Sequence, residues 1–381
     1  MNIPAEFDEI RPYTPEELPA VFDELLADPQ FLPIALSFFP GVSREQLAAR
    51  LHQCTTNLEV QKRVFYPLVE QLVMRACTSV DLDTQGLPVS NYTFVSNHRD
   101  IVLDSAFLSL LLLQHGFPTT VEIAIGDNLL VYPWIKKLVR INKSFIVQRS
   151  VGMRQMLESS ARLSRYMHFA INEKKENIWI AQRQGRAKDS DDRTQDALLK
   201  MLAMGGDGSP ADRLRSLNIV PLAISYEFDP CDFLKAKEFQ QKRDDPGFKK
   251  SREDDLVNMQ TGIFGEKGHV HYQMAAPVNT WIDEVAGLPK AAFFDAVARR
   301  MDRAIHQNYR LYPNNYIAAD RLDGDGRYAG RYTEADVRRF DAYIDGQLAR
   351  IELPGKDEDY LRERMLTMYA NPARNQAAAL Q

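Results

Sequence analysis

Cysteine is scarce. Cys54, Cys77 and Cys231 are the only three in 381 residues, far apart and odd in number. That argues against a disulfide framework or a zinc site and suits a reducing compartment. Long apolar runs are missing too. The most apolar stretch, Ile101 to Leu113, is shorter than the roughly 20 residues a bilayer requires, and Asp104 interrupts it. The first residues, M-N-I-P-A-E-F-D-E-I, hold neither the basic nor the apolar segment of a secretory signal. The chain is therefore expected to be soluble or peripheral and not to cross a membrane. Basic charge is not in excess. The net charge of -5 gives no reason to expect nucleic acid as a partner. There is no internal repeat, no low-complexity tract and no G-x-S-x-G elbow, and the last of these counts against a serine esterase. D-G-D-G at 323–326 lacks the later ligand positions of a calcium loop and reads as a turn. His269 and His271 alternate along an expected strand without a third metal ligand.

What is present describes a globular protein with a sizeable core, at 45% hydrophobic and 26% charged residues. Charge is unevenly placed. Residues 1–30 carry eight acids against Arg11 alone, a net -7, and read as a solvated lead-in with a helix over 15–27. Residues 121–190 carry thirteen Lys or Arg against six acids, a net +7.

Apolar spacing predicts helices over 43–54 and 58–77, with 81–90 as an exit loop. The chain then alternates: strands at 92–96, 120–125, 144–148, 177–182 and 218–226, with helices at 101–115, 132–140, 152–174 and 193–204 between them. A further strand is expected at 268–274, and helices at 289–311, 333–351 and 357–370. Alternation of this kind predicts an α/β fold with a largely parallel central sheet flanked by helices. The expected organisation is a helical N-terminal region (1–85), an α/β domain (86–280) and a helical C-terminal region (281–381).

The chemistry concentrates at Y-T-F-V-S-N-H-R-D-I-V-L-D-S (92–105), where a buried strand gives way to a helix. Ligands collect at the carboxyl ends of strands in open α/β sheets. His98 can exchange a proton near neutral pH, and a neighbouring carboxylate can fix its tautomer.

Four motifs in order resemble the glycerophospholipid acyltransferase superfamily, over roughly residues 90–230. Asn97, His98 and Asp104 match N-H-x-S-x-x-D, with one residue more between His and Asp. S-F-I-V-Q-R, with Phe145 and Arg149, matches an aromatic–aliphatic strand ending in Arg. I-A-Q-R-Q-G-R, with Arg183, Gln184, Gly185 and Arg186, matches the strand followed by E-G-x-R, with Gln184 where the family has Glu. The fourth motif, a strand with a central proline, falls at Pro221. The resemblance implies direct acyl transfer from acyl-CoA or acyl carrier protein to a hydroxyl, with His98 as general base. Asp104 is the implied partner, and Asp100 is its rival unless it caps the helix. Asn97, Arg99, Phe145, Arg149, Arg183, Gln184, Gly185, Arg186, Lys188 and Pro221 are the expected substrate contacts, the cations for a phosphate-bearing acceptor. No metal or cofactor is implied. A long apolar tunnel is expected for the acyl chain. The basic amphipathic segment 125–143, with Trp134, Lys136, Lys137, Arg140 and Lys143, fits the cytoplasmic face of an anionic membrane, and equally a helix that buries its Trp. Two other classes stay open: a hydrolase in which the same histidine activates water, and a non-catalytic lipid- or acyl-carrier-binding protein.

Overall fold

The computed structural model describes residues 2–149 and 152–381. Its N-terminal region holds α1 (Leu18–Ala27), α2 (Phe31–Ser37), α3 (Arg44–His52), α4 (Asn57–Val60) and α5 (Tyr66–Ala76). α1 and α3 bury Leu18, Phe22, Leu25, Leu47 and Leu51 in a core that also takes in Ile141. Chain alternation then produces β1 (Cys77–Asp83), β2 (Thr93–Ser96), α6 (Leu103–Gln114), β3 (Val121–Gly126), α7 (Pro133–Ile141), β4 (Ser144–Val147), α8 (Met153–Asn172) and β5 (Asn177–Ala181). After α9 (Asp196–Leu202) and α10 (Pro210–Ser216) come β6 (Ile219–Tyr226), α11 (Asp232–Asp244), α12 (Arg252–Phe264) and β7 (Gly268–Met274). The chain closes with α13 (Lys290–Gln307), α14 (Pro313–Asp323), α15 (Glu334–Ala349) and α16 (Glu358–Leu380).

The seven strands form one sheet in the order β1-β7-β6-β2-β5-β3-β4. All pairings are parallel except β6 with β7. The fold is α/β with a mostly parallel sheet, as the alternation predicts. Every residue of β2 and β6 is buried, which explains their continuous apolar runs. One face of the sheet packs on α6 through Phe94, Phe107, Trp179 and Leu222. The other packs on α8, α9 and α13 through Val95, Phe145, Tyr166 and Ile180. A fourth core joins α11, α14, α15 and α16.

Two expectations are corrected. Residues 81–83, read as loop, belong to β1, so the sheet begins inside the stretch read as helical. The 1–30 segment is only partly a solvated lead-in, because its acids pair with the basic stretch. Glu6 meets Arg165 at 2.5 Å, Glu9 meets Arg162 at 3.3 Å and Glu24 meets Lys137 at 2.8 Å. Three charges of the local +7 are balanced in this way. On α7, Arg140 is buried against the carbonyls of Arg11 and Asp8, and Trp134 packs beside Phe31. Lys143 is buried against Glu176 at 2.8 Å, which leaves Lys136 as the exposed cation of the segment. Among the described residues, no helix is long and apolar enough to cross a membrane.

Candidate active site

Because β2, β5, β3 and β4 are parallel, their carboxyl ends lie along one edge of the sheet. His98 follows the central strand β2, and the 182–188 segment follows its neighbour β5. Asn97 sets the end of β2. Its side-chain amide donates to the Ile224 carbonyl and accepts from the Ile224 N–H, both at 2.8 Å, as a further strand residue would. Trp179 Nε1 donates to Ser96 Oγ at 3.0 Å, and its ring meets the His98 ring edge-on at 5.4 Å.

The two aspartates differ in what they contact. His98 Nδ1 lies 2.8 Å from Asp104 Oδ2, despite the extra residue in the turn. The same oxygen accepts the backbone N–H groups of Arg99 at 2.6 Å and Asp100 at 3.1 Å. Asp104 Oδ1 accepts the Tyr226 hydroxyl at 3.0 Å. The added residue is thus absorbed by a turn that wraps its own N–H groups around the carboxylate. A carboxylate only accepts, so Nδ1 carries the proton and Nε2 is the basic nitrogen of a ring that lines the cavity. Asp100 instead caps α6, accepting from Val102 N at 2.9 Å and Leu103 N at 2.8 Å. Burial, and then the nearby Asp104, push the Asp100 carboxyl above its ordinary value.

A cavity of about 1820 Å³ opens over this edge, lined by His98, Arg149, Arg183, Gln184, Gly185, Arg186 and Lys188. It exceeds the roughly 300–1,000 Å³ of an ordinary small-molecule pocket. Its walls are largely apolar and reach both faces of the sheet, with Ala106 and Trp179 on the α6 side and Leu163, Ile180 and Met201 on the α8 side. Six of its lining residues are also exposed large apolar side chains: Ile34, Phe38, Tyr132, Met156, Leu256 and Phe264.

The cations differ in their freedom. Among the described residues, the Arg183 side chain has no hydrogen-bond or ion-pair partner in the protein. Arg186 Nη2 donates to Asn258 at 3.2 Å, while its Nη1 is buried without a partner. Lys188 pairs with Glu238, and burial, against the pull of that carboxylate, lowers its ammonium from the ordinary value. The Arg149 backbone N–H donates to Asp127 at 3.1 Å, and burial lowers its guanidinium while Asp127 acts in the opposite sense. Gly185 has φ +67, in the left-handed region that favours glycine. Gln184 is exposed at the cavity and donates its backbone N–H to Gln195 at 2.8 Å.

Four of the expected contacts stand away from the cavity wall. Asn97 is the clamp on β6. Phe145 is buried against Tyr166. Pro221 sits in β6 in register with Val95, where its carbonyl accepts Ala275 N at 2.9 Å just past the end of the β7 ladder. A missing N–H therefore breaks no ladder bond there. Arg99 turns behind the 98–104 turn and pairs with buried Asp192 at 3.1 Å. Trp179, Tyr226, Asn258 and Lys235 were not foreseen as site residues. The first two lie on β5 and β6, whereas the other two lie on α12 and α11, a charged part of the chain that carries no motif.

No family model matches the chain, and no curated protein does. Among solved structures, the crystal structure of the 1-acyl-sn-glycerophosphate (LPA) acyltransferase of Thermotoga maritima is similar, at 13% identity and a TM-score of 0.37, over 76% of this chain and 94% of that one.

Proposed function

We propose that the chain is an O-acyltransferase that moves a fatty acyl group from acyl-CoA or acyl carrier protein to a hydroxyl of glycerol 3-phosphate, lysophosphatidate or a related lipid acceptor. The observation that carries this reading is the His98–Asp104 pair, hydrogen-bonded at 2.8 Å on the edge of a large apolar cavity that also holds Arg183 and Arg186. His98 Nε2 takes the proton of the acceptor hydroxyl as its oxygen attacks the thioester carbonyl. The ester bond forms, the carbon–sulfur bond breaks, and the imidazolium returns its proton to the departing thiolate. Asp104 keeps Nδ1 protonated throughout. Arg183 and Arg186 suit an acceptor phosphate, since guanidinium binds phosphate bidentately. The apolar walls suit the acyl chain, and the exposed apolar residues at the cavity support attachment to the cytoplasmic face of a membrane.

The test is incubation with labelled acyl-CoA or acyl carrier protein and a panel of acceptors, with the products separated. An esterified acceptor is expected. His98→Ala should lose about 10²–10⁴-fold in turnover, the usual worth of positioned proton transfer, with unchanged circular dichroism. Free fatty acid as the sole product means a hydrolase, and no product means a binding protein. Normal turnover by His98→Ala sinks the mechanism.

A further inference from the structure

Arg99 and Asp192 form a buried ion pair behind the catalytic turn, away from the cavity wall. Their side-chain exposures are 8% and 0%. The Arg99 guanidinium also faces the Tyr309 ring, 5.8 Å from its centroid. Both ends of the pair are strategically placed. The Arg99 backbone N–H is one of the donors on Asp104 Oδ2, so a shift of Arg99 is felt directly by the carboxylate that orients His98. Asp192 belongs to the 183–195 segment, whose beginning carries Arg183, Arg186 and Lys188. Among the described residues, this pair is the one ion pair or hydrogen bond between the turn 98–104 and that segment.

The far half of the segment is fastened elsewhere. Asn371 of α16 donates to the Asp189 carbonyl at 2.8 Å, and Asn375 donates to Asp191 at 2.9 Å. From α13, His306 meets the Asp192 carbonyl at 3.0 Å and Asp302 accepts the N–H and hydroxyl of Thr194 at 2.7 and 2.6 Å. The C-terminal helices therefore hold the backbone of the segment, and the side chain of Asp192 ties it to the base. Neither Asp192 oxygen has any hydrogen-bond partner besides this ionic contact. Arg99 is thus the one close ionic contact of a buried acid that Lys235, His98 and Arg183 act on only from farther away, so its position bears directly on that acid.

We infer that the Arg99–Asp192 pair is a positioning device that sets the distance between the His98 base and the anion-binding arginines, Arg183 and Arg186. The inference rests on the acyl-transfer reading. Arg99 and Asp192 are positioning residues, since neither lines the cavity. A planar guanidinium held against a carboxylate fixes direction as well as distance, which a lysine ammonium does not.

The experiment measures glycerol 3-phosphate binding by calorimetry and, separately, steady-state transfer. It compares the full chain with Asp192→Asn, Arg99→Gln, Arg99→Lys and the Arg99→Gln/Asp192→Asn double variant. Asp192→Asn and Arg99→Gln are each expected to weaken glycerol 3-phosphate binding and raise its KM by about tenfold, one factor of ten per 1.4 kcal/mol. The donor KM should stay within about twofold. Arg99→Lys should fall between the native chain and Arg99→Gln, and it keeps the test open should the uncharged variants fail to fold. The double variant should be no worse than either single one, as partners in one interaction are non-additive. Unchanged acceptor binding in folded variants, equal losses for donor and acceptor, or additive losses overturn the pair's function while leaving the acyl-transfer reading intact. A native chain that neither binds the probe nor transfers acyl groups overturns both.

Discussion

At the scale of single residues, the two aspartates of the turn separate by what they accept. Asp104 takes three N–H donors on one oxygen and a tyrosine hydroxyl on the other. Asp100 takes the first free N–H groups of α6. An amide at 104 has one acceptor oxygen and turns an NH₂ toward groups that also donate, so His98 loses its fixed tautomer. Asp104→Asn is expected to lower kcat by at least about 10²-fold, at the lower end of what general-base catalysis supplies. An amide at 100 still accepts from Val102 and Leu103 through its oxygen, and Asp100→Asn should stay within about tenfold of the native rate. Steady-state kinetics of the two variants checks this, and the reverse ranking would reassign the partner of His98. Sequence alone left this choice open for a physical reason. One inserted residue changes the direction of the side chains after it unless the backbone closes around an acceptor, and the other oxygen of that acceptor is held by Tyr226, 122 residues away.

At the scale of elements, α12 shows how closely the turn is packed. Gly262 lets the helix approach until Asp100 Oδ2 stands where a Cβ would be. Asp100 cannot swing aside cheaply, because its other oxygen is committed to the α6 cap. Gly262→Ala should therefore destabilise the protein by about 1–3 kcal/mol, the usual cost of overpacking. The same substitution should cost less in an Asp100→Ala background, where the collision is gone. Urea unfolding of the four chains gives the coupling directly, and equal costs in both backgrounds would show that α12 sits otherwise. Elements were legible to the extent that burial is uniform. β2 and β6 are buried along their whole length and could be read from apolar runs. β1 is largely half-exposed at the sheet edge, so its C-T-S-V-D-L-D carries little apolar signal. α10 and α14 start with proline at the first helical position, where it fits the helix yet reads as a break in sequence.

At the scale of the whole molecule, the C-terminal helices buttress the site's far wall through buried acids, and this has a consequence for pH. Asp232 accepts from Phe233 N at 2.6 Å, Gln347 at 2.6 Å and the Tyr369 hydroxyl at 2.7 Å, joining α11, α15 and α16. Burial, and then neighbouring Asp229, push its carboxyl from 3.8 to about 7. The other groups facing it are Tyr343 and Tyr369, and Lys235 is held by Asp229. A folded-state value above the unfolded one means that the native chain binds the extra proton between those two values. Its contribution is complete below about pH 3.8 and is lost as pH rises through about 7. Asp232→Asn keeps an acceptor oxygen and removes the titration. The stability difference between native and variant chains should therefore move in favour of the variant from pH 4 to pH 8, by an amount on the order of a few kcal/mol. Thermal unfolding of both chains across that range decides it, and parallel curves would mean that Asp232 is already ionised in the fold at low pH. Such long-range closure is what the sequence could not show. The acids at 1–30 and the bases at 121–190 were visible as two opposite blocks, but their pairing through Glu6–Arg165 and Glu24–Lys137 depends on the N-terminus folding back against α8 and α7. Arg183 and Arg186 are among the cavity-lining cations that make no ion pair among the described residues, and they are the two whose placement relative to His98 the Arg99–Asp192 pair would govern.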